Sequence, residues 1–339
     1  MYIRRLFLSE SKLTRKHLLL GLGLIVLLLL PPVTGALGES YLVSLFSRIL
    51  IYALVALSLD LIVGYGGMVS LGHAAYFGIG AYVVGILAHH SYEAVPLLAW
   101  PLELQGTENA LVTLPAAVLV SGLFAAVIGF FCLRTRGMHF IMITLAFAQM
   151  LYFFYLSLET YGGDDGLSLY SRNRLPGLDL ADDTSFYYLC LAILLLCLYL
   201  SHRLVHSRFG RVIQGIRENE RRMLALGFPT YRYKLACFTI AGAGAGLAGA
   251  LIANQTEFVS PGLMHWTRSG EILVMVLLGG MGTLFGPVLG AIVLLLMEEV
   301  LASFTEYPMV LLGPFLILVV LYGRRGIYGI LLGRGGADD

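Results

Sequence analysis

Residues 42–63 read LVSLFSRILIYALVALSLDLIV, and residues 64–82 read GYGGMVSLGHAAYFGIGAY. The first segment is an apolar run as long as the roughly 20 residues that a helix needs to cross a bilayer. The second segment is rich in glycine, which weakens helices and permits breaks in them. A crossing helix followed by a glycine-rich break predicts a helical fold that spans a membrane.

The composition of the whole chain agrees with this prediction. Of 339 residues, 58% are hydrophobic and 13% are charged, whereas a soluble domain has about 25% charged residues. This argues strongly against a water-soluble enzyme. The 22 Lys and Arg nearly balance the 21 Asp and Glu, so the basic excess that favours nucleic-acid binding is missing, and we expect no nucleic-acid partner.

Further apolar runs predict the other helices. Confident crossings are expected at residues 42–63, 111–133, 138–158, 186–206 and 234–253, and weaker ones at 18–33, 73–90 and 308–322. Residues 271–300 are too long for one crossing and too short for two, and glycines interrupt them. They predict a discontinuous or re-entrant helix, which needs protein or a water-filled cavity around its freed backbone groups. We expect an all-α polytopic integral membrane protein with about 8–10 transmembrane or re-entrant helices, broken near residues 64–72 and 279–286.

The connecting segments predict the orientation, because short cytoplasmic loops collect Lys and Arg. Residues 1–17 carry five Lys and Arg against one Glu, and residues 203–234 carry eight against two Glu. Residues 159–185 carry six acids against two Arg. We therefore expect residues 1–17, 203–234 and 324–339 in the cytoplasm, residues 159–185 in the periplasm, and residues 18–323 as the transmembrane domain. The basic pair Arg324 and Arg325 lies inside only if residues 271–300 return to the side they left.

The two broken segments resemble each other. Residues 66–71, GGMVSL, match residues 279–284, GGMGTL. Gly66, Gly67, Gly279, Gly280 and Gly282 are accordingly predicted at helix breaks. Paired breaks in two halves are typical of transporters built from repeats, whose substrate path lies near the broken helices. The alternative is a chance match, because glycine is common in transmembrane helices.

The sequence lacks the residue patterns typical of metal sites, catalytic sites and phosphate-binding loops. The four cysteines lie in apolar runs without a C-x-x-C pair and the eight histidines are scattered, so we expect neither a metal site nor a catalytic residue. None of the three lysines follows a glycine, so the Gly-Lys-Ser/Thr of a phosphate-binding loop is absent. We expect no cofactor in this chain. An ion-coupled secondary transporter stays an alternative, although Asp60 is the only acid within a confident crossing.

Five motifs follow one another in an order that resembles a known family. They are residues 64–82, then RTRGMHFIMITLAFAQM at 134–150, GGDDGL at 162–167, the segment from GRVIQGIRENE to AGLAGAL at 210–251, and VSPGLMHWTRSGEILVMVLLGGMGTLFGPVLGA at 259–291. Together they resemble the M-type permease subunit of branched-chain amino acid ABC importers, over roughly residues 42–322. Relatives with the same pattern import urea, short amides or aromatic acids, so the family leaves the substrate open.

The resemblance implies a heteromeric importer in the bacterial inner membrane, with both termini cytoplasmic. This chain would form the translocation path together with a second homologous permease of the H type. Two cytoplasmic ATPase subunits would bind ATP and Mg, and a periplasmic solute-binding protein would deliver the branched-chain amino acid or related small polar solute. A chain without a phosphate-binding loop does need an external ATPase.

Residues 209–227 form the sharpest local signal. Apolar and charged residues alternate at helical spacing, and Gly227 followed by a proline is typical of a helix end. We therefore expect a short amphipathic cytoplasmic helix. The resemblance identifies it as the element that docks on the ATPase, with Arg217, Glu218, Glu220 and Gly227 as the coupling residues. The alternative is a cluster of charges that only fixes topology.

Polar residues within or beside the crossings are candidates for the translocation path. Asp60 is the first, because a charge at mid-helix costs about 2.5 to 3.5 kcal/mol on insertion scales. It lines the path or forms a hydrogen bond at a helix contact; the sequence favours neither. Ser70, His73, Thr144 and Gln149 are further path candidates, although each alone is also explained by an interhelical hydrogen bond of about 0.6 kcal/mol. Small residues at Gly242, Gly246 and Gly249 predict close helix packing.

Overall fold

The computed structural model describes residues 21, 23–35, 40–94, 96, 106–305, 310, 313, 314 and 326–332. The predictions for residues 1–17, for most of the run at 308–322 and for Arg324 and Arg325 lie outside the described residues.

The described part of the chain is helical. Its helices are α1 (Gly23–Gly35), α2 (Ser40–Asp60), α3 (His73–Tyr92), α4 (Ala110–Cys132), α5 (Met138–Leu156), α6 (Asp183–His206), α7 (Arg208–Ala225), α8 (Thr230–Thr256), α9 (Trp266–Gly279), α10 (Gly286–Phe304) and α11 (Gly326–Leu332). A π-helix, Leu61–Tyr65, continues α2, and short 3-10 turns occupy Glu159–Tyr161 and Pro261–Met264. The strands β1 (Leu167–Ser168) and β2 (Phe258–Val259) form one small antiparallel pair, in which Leu167 lies opposite Val259.

The apolar helices confirm the predicted fold class. Among the described residues, six helices are long and apolar enough to cross a membrane: Tyr41–Tyr65, Ala110–Cys132, Met138–Leu156, Asp183–His206, Thr230–Thr256 and Gly286–Phe304. Five of them coincide with the confident crossings. The weaker run at 73–90 forms α3, which is not among the six. The chain is therefore an all-α, multi-pass membrane protein.

The segment predicted as one discontinuous helix is broken as expected, but its bounds are wider. It forms α9, which begins at Trp266, and α10, which ends at Phe304. The predicted bounds of 271–300 were too narrow because α9 includes the polar residues 267–269 and α10 continues through residues 301–304. As a result α10 is long enough to cross by itself, whereas α9 has 14 residues.

Helices α2, α3 and α8 form the centre of the fold. Buried aromatic side chains from α3 and α8 pack together, with the rings of Tyr76 and Phe238 edge to face at 5.8 Å. Small residues let these helices approach closely, since a Cβ on Gly246 or Gly249 of α8 would strike α4 or the backbone of α3. The close packing predicted from the small-residue spacing is confirmed.

A network of buried polar groups joins three helices at the end where α6 begins. The Arg172 guanidinium donates to Asp183 of α6 at 2.6 Å and lies 3.4 Å from Glu257 after α8. The Asn173 side chain donates to the Thr113 hydroxyl of α4 at 2.5 Å, and its backbone N–H donates to the side chain of Asn254 in α8 at 2.8 Å. The segment at 159–185 is thus anchored to α4, α6 and α8. Because α6 runs from this network to the start of α7, the network and α7 lie at opposite ends of α6.

Candidate functional site: the junction of two helix breaks with α7

The first break follows directly from α2. The helix widens into the π-helix Leu61–Tyr65. The π-helix is rare in proteins overall, but where it occurs it is often at a functional site. This π-helix ends at Tyr65 and is capped by Gly66; the chain then turns at Gly67, whose φ is +66°, and the N–H of Met68 donates back to the carbonyl of Ile62 at 3.0 Å. The thiol of Cys237 in α8 donates to the carbonyl of Leu61 at 3.4 Å. Protein groups therefore cover carbonyls that a regular helix would pair, as the membrane requires.

The second break lies between α9 and α10. Gly280 and Gly282 adopt φ values of +116° and +73°, which side-chain-bearing residues rarely adopt. The Thr283 hydroxyl donates to the carbonyl of Gly280 at 2.7 Å and closes the turn. A Cβ on Gly279 would meet the carbonyl of Gly286, so α9 and α10 touch backbone to backbone. Both breaks predicted from the glycine-rich segments are present.

Asp60 joins the two breaks. Its carboxylate is fully buried, and Oδ1 accepts a hydrogen bond from the backbone N–H of Gly282 at 2.8 Å. Gly64 lies between them, because a Cβ there would collide with both Oδ1 of Asp60 and the N of Gly282. Within the described structure Oδ2 has no hydrogen-bond partner. This geometry matches the helix-contact alternative, and a place for Asp60 in the translocation path stays a prediction.

Helix α7 has the amphipathic character that the sequence predicts. Its apolar residues Ile213 and Ile216 pack with Cys237 of α8 in a small separate core. Ser207 caps its start, since its hydroxyl accepts from the N–H of Gly210 at 3.2 Å. The helix stops just before Gly227, which has the left-handed φ of +86° expected of a helix-ending glycine.

The sequence did not predict an interruption inside α7. Asn219 has φ −156° and ψ 94°, which are not helical angles. Its side-chain oxygen accepts from the N–H of Arg222 at 3.0 Å and so caps the following turn. Asparagine competes with the helix through such local bonds. The helix therefore consists of two pieces, residues 208–218 and 220–225.

Each piece of α7 attaches to the membrane domain through one charged side chain. From the first piece, Nη1 of Arg217 donates to the carbonyl of Gly64 in the first break. Gly67 lies against the same side chain, with 2.8 Å between a Cβ built there and Cγ of Arg217. Contacts of Arg217 with the breaks were not foreseen, because the sequence placed this residue at the ATPase.

From the second piece, Glu220 forms ion pairs with Lys234 of α8 at 2.8 Å and with Arg136, after α4, at 3.7 Å. It also accepts from the hydroxyl of Thr230 at 3.2 Å. Burial by itself would raise the pKa of Glu220, but Lys234 foremost, with Arg136 and Thr230, holds that pKa below its ordinary value. Glu218 is exposed. Arg217 is thus exposed but contacts the membrane domain, Glu220 is half-buried against it, and Glu218 and Gly227 lie on the surface.

A cleft of about 350 Å³ opens between the first break, the α4–α5 turn, α7 and the start of α8. Three cationic side chains and one acid line it: Arg136, Arg217, Lys234 and Glu220. The sequence analysis missed Arg136, Asn219 and Lys234 as site residues, and it predicted Gly64 only as the start of the first break. Only Gly64 carried a local signal, as a glycine one helical turn after a buried acid.

The remaining path candidates lie around the turn that follows the first break. Ser70 accepts from the N–H of Gly72 at 3.2 Å, and this turn touches α5, with 2.7 Å between a Cβ built on Gly72 and the carbonyl of Thr144. Thr144 donates to Ile141 within its own helix at 2.9 Å. Three of the four candidates therefore lie near one another, with His73 at the start of α3.

His73 and Gln149 are held differently. The Ser58 hydroxyl donates to the carbonyl of Val55 at 2.7 Å, so Nε2 of His73 is assigned as the donor to Ser58 at 2.8 Å. Gln149 is half-buried on α5, further along than Thr144, and its amide nitrogen has no partner in the described structure. A role in the path stays a prediction for all four. Within the described residues, no group of His, Cys, Asp and Glu is placed to hold a metal ion.

Comparison with known proteins gives a consistent result. Residues 41–321 match the family model described as branched-chain amino acid transport system / permease component. The chain is 30% identical to the LivM permease protein of Salmonella typhimurium, over 84% of this chain and 69% of that protein. It is 32% identical to LivM of Escherichia coli, over 82% and 68% respectively. It is also 24% identical to LivH of Salmonella typhimurium, over 82% and 91%. No solved structure matches the chain.

Proposed function

The chain belongs to the family of branched-chain amino acid transport permeases, and on this basis we propose that it is one transmembrane subunit of an ATP-driven importer. In this proposal it pairs with an H-type permease, and two cytoplasmic ATPase subunits bind ATP and Mg and hydrolyse the ATP. A periplasmic binding protein delivers the solute. Similarity to both LivM and LivH proteins supports the pairing, because such relatives form two related types of permease.

The observation that carries the proposal is α7. It is an amphipathic helix between two membrane-crossing helices, with charged residues on its surface and an apolar side fixed to α8. A chain that lacks a phosphate-binding loop needs a surface on which an ATPase can act. We assign that surface to α7, with Glu218 and the Gly227 turn exposed to the partner and with Arg217 and Glu220 connecting it to the membrane domain.

The orientation follows from the same assignment. Residues 203–234 lie in the cytoplasm and residues 159–185 in the periplasm, so the protein resides in the bacterial inner membrane with both termini cytoplasmic. The segment at 159–185 is supported as a stable external surface by its anchorage to α4, α6 and α8 through Arg172 and Asn173.

The substrate is a branched-chain amino acid or a related small polar solute. Its path would run near the two breaks, with Asp60, Ser70, His73, Thr144 and Gln149 as candidates for lining it. Urea, short amides and aromatic acids are the substrates to compare, because relatives with the same pattern of motifs import them.

Reconstitution tests the proposal. The chain is co-expressed with its neighbouring permease and ATPase subunits, placed in liposomes with ATP on the α7 side, and supplied with binding protein and radiolabelled leucine. We expect uptake that needs every subunit and ATP, and competition by unlabelled leucine, isoleucine or valine in preference to urea or phenylalanine. Concentrative uptake by this chain alone, driven by an ion gradient, would establish a secondary transporter instead.

A further inference from the structure

The two breaks and α7 meet within a few ångströms of one another. Arg217 of α7 holds the first break through the carbonyl of Gly64, and Asp60 holds the second through the N–H of Gly282. A Cβ built on Gly282 would lie 3.3 Å from Nη1 of Arg217 and 3.3 Å from the Gly64 carbonyl oxygen. Arg217 and Asp60 therefore connect α7, the end of α2 and the two breaks.

Charge makes these two contacts interdependent. A buried carboxylate without a compensating partner is costly. Oδ2 of Asp60 has no hydrogen-bond partner among the described residues. Arg217 is an exposed residue, but its guanidinium reaches the same junction, where it donates to the Gly64 carbonyl beside the Gly282 backbone that Asp60 holds. A displacement of Arg217 therefore changes the surroundings of Asp60 and, through Asp60, the contact with Gly282.

The glycines leave room for this arrangement. Gly67, with φ +66°, lets the backbone lie flat on the aliphatic part of the Arg217 side chain. Gly64 leaves no side chain between Asp60 and Gly282. The π-helix adds a turn whose backbone pairing is already irregular, so a shift there breaks fewer regular helical bonds. The junction thus combines a movable cytoplasmic contact with two deformable segments.

We propose that Arg217 and Asp60 are a pair of positioning residues through which α7 controls both helix breaks. With Arg217 on Gly64, the two breaks are held together through Asp60 and Gly282. When α7 is displaced, Arg217 leaves Gly64, its positive charge moves away from the junction that Asp60 occupies, and the second break separates from the first. The displacement by an ATPase rests on the proposed function, whereas the link between Arg217, Asp60 and the breaks does not.

A thermal double-mutant cycle tests the link itself. The full chain is extracted in detergent as wild type, Arg217→Gln, Asp60→Asn and the double variant, with Arg203→Gln on α6 as the matched control. We expect Arg217→Gln to lower the apparent Tm of the wild-type background. In the Asp60→Asn background the same change should lower it by at most about half that amount, because the effects of mutations within one network are not additive. Equal losses in both backgrounds would overturn the link. Arg203→Gln should have the same small effect in both backgrounds.

The reconstituted importer tests the positioning role. For Arg217→Gln we expect ATP hydrolysis to stay near the wild-type rate while leucine uptake per ATP falls at least about fivefold, the lower end of typical coupling between sites. Parallel loss of hydrolysis and uptake, or no loss of either, would overturn the positioning role. A residue needed only for folding or docking would change both activities together when it is replaced. If Arg217→Gln is not recovered from membranes, Arg217→Met replaces it in both experiments, since methionine keeps an unbranched apolar stem but removes both the charge and the N–H donors.

The two experiments distinguish a failure of the proposed function from a failure of the link between Arg217 and Asp60. If the wild-type assembly shows no ATP-dependent uptake, the proposed function is wrong, and the thermal cycle still decides whether Arg217 and Asp60 act together. If uptake depends on ATP but the cycle is additive, the importer stands and the link is wrong.

Discussion

Replacing Gly64 with alanine adds a single methyl group at the centre of the junction. The new Cβ would collide with Oδ1 of Asp60 and the N of Gly282, and it would lie 2.7 Å from Cγ of Asp60. The methyl group therefore occupies the space across which the 2.8 Å hydrogen bond between these two groups forms. Backbone lies on one side and a fully buried carboxylate on the other, so neither can move away freely.

The cost follows from the bond that is lost. A hydrogen bond to a charged group contributes about 1.5–3 kcal/mol. At about 2 °C per kcal/mol, the lower end for larger domains, the apparent Tm falls by about 3–6 °C. Gly270→Ala is the matched control, because Gly270 lies within α9 with no atom inside 4 Å of its new Cβ. That change should be neutral or stabilising, since alanine is favoured over glycine in a helix by about 0.5–1 kcal/mol.

Thermal unfolding in detergent, followed by tryptophan fluorescence or by the fraction that stays soluble, measures both variants. We expect the Gly64→Ala protein to be less stable than the wild type and the Gly270→Ala protein to be at least as stable. If the two variants unfold at the same temperature, the two breaks do not meet at Gly64, and the reasoning about the junction is wrong.

Three further predictions concern α7 and the orientation. Gly227→Val should reduce substrate-stimulated ATPase activity and ATPase retention, because a φ of +86° costs a β-branched residue about 1–2 kcal/mol; Gly227→Asn should be milder, and wild-type transport by the valine variant would contradict the docking role. Because the folded pKa of Glu220 is lowered, its ion pair with Lys234 stabilises the protein fully above the unfolded pKa of about 4.3 and is lost as the pH falls through the lower folded value. The Tm difference between wild type and Glu220→Gln should therefore disappear in acid, and a difference independent of pH would contradict it. In a protein without its native cysteines, a membrane-impermeant maleimide applied from outside should label a cysteine at Ser168 and not one at Asn219; the reverse pattern would invert the orientation.

The parts of the fold that the sequence predicted depend on local signals. Apolar runs of crossing length became helices, and clustered glycines at 64–72 and 279–286 became breaks, because both follow from hydrophobicity and backbone freedom over a few residues. The end of α7 at Gly227 was predicted for the same reason. Helix bounds were less accurate, since α9 begins at Trp266 over polar residues before the apolar run and α10 continues past Val300 to Phe304.

The contacts that join the two breaks to each other and to α7 were not predictable, because they link distant residues through backbone atoms. Asp60 and Gly282 are 222 residues apart, and Arg217 and Gly64 are 153 apart. Every residue offers a carbonyl or an N–H, so no side chain marks the partner. The interruption at Asn219 is local, but asparagine also occurs within regular helices, and only the bond to Arg222 distinguishes this one.

The close contacts of α8 determine which of its glycine substitutions a second mutation can relieve. A methyl group at Gly242 would meet the Cβ of Ala125, so Ala125→Gly removes the obstacle. A methyl group at Gly249 would meet the carbonyl of Phe77, and one at Gly80 of α3 would meet the backbone of Gly246. No amino acid is smaller than glycine, and no substitution shortens a carbonyl. A genetic search for suppressors should therefore recover a local partner for Gly242 but none for Gly80 or Gly249, where only a change in the path of a whole helix restores the fit.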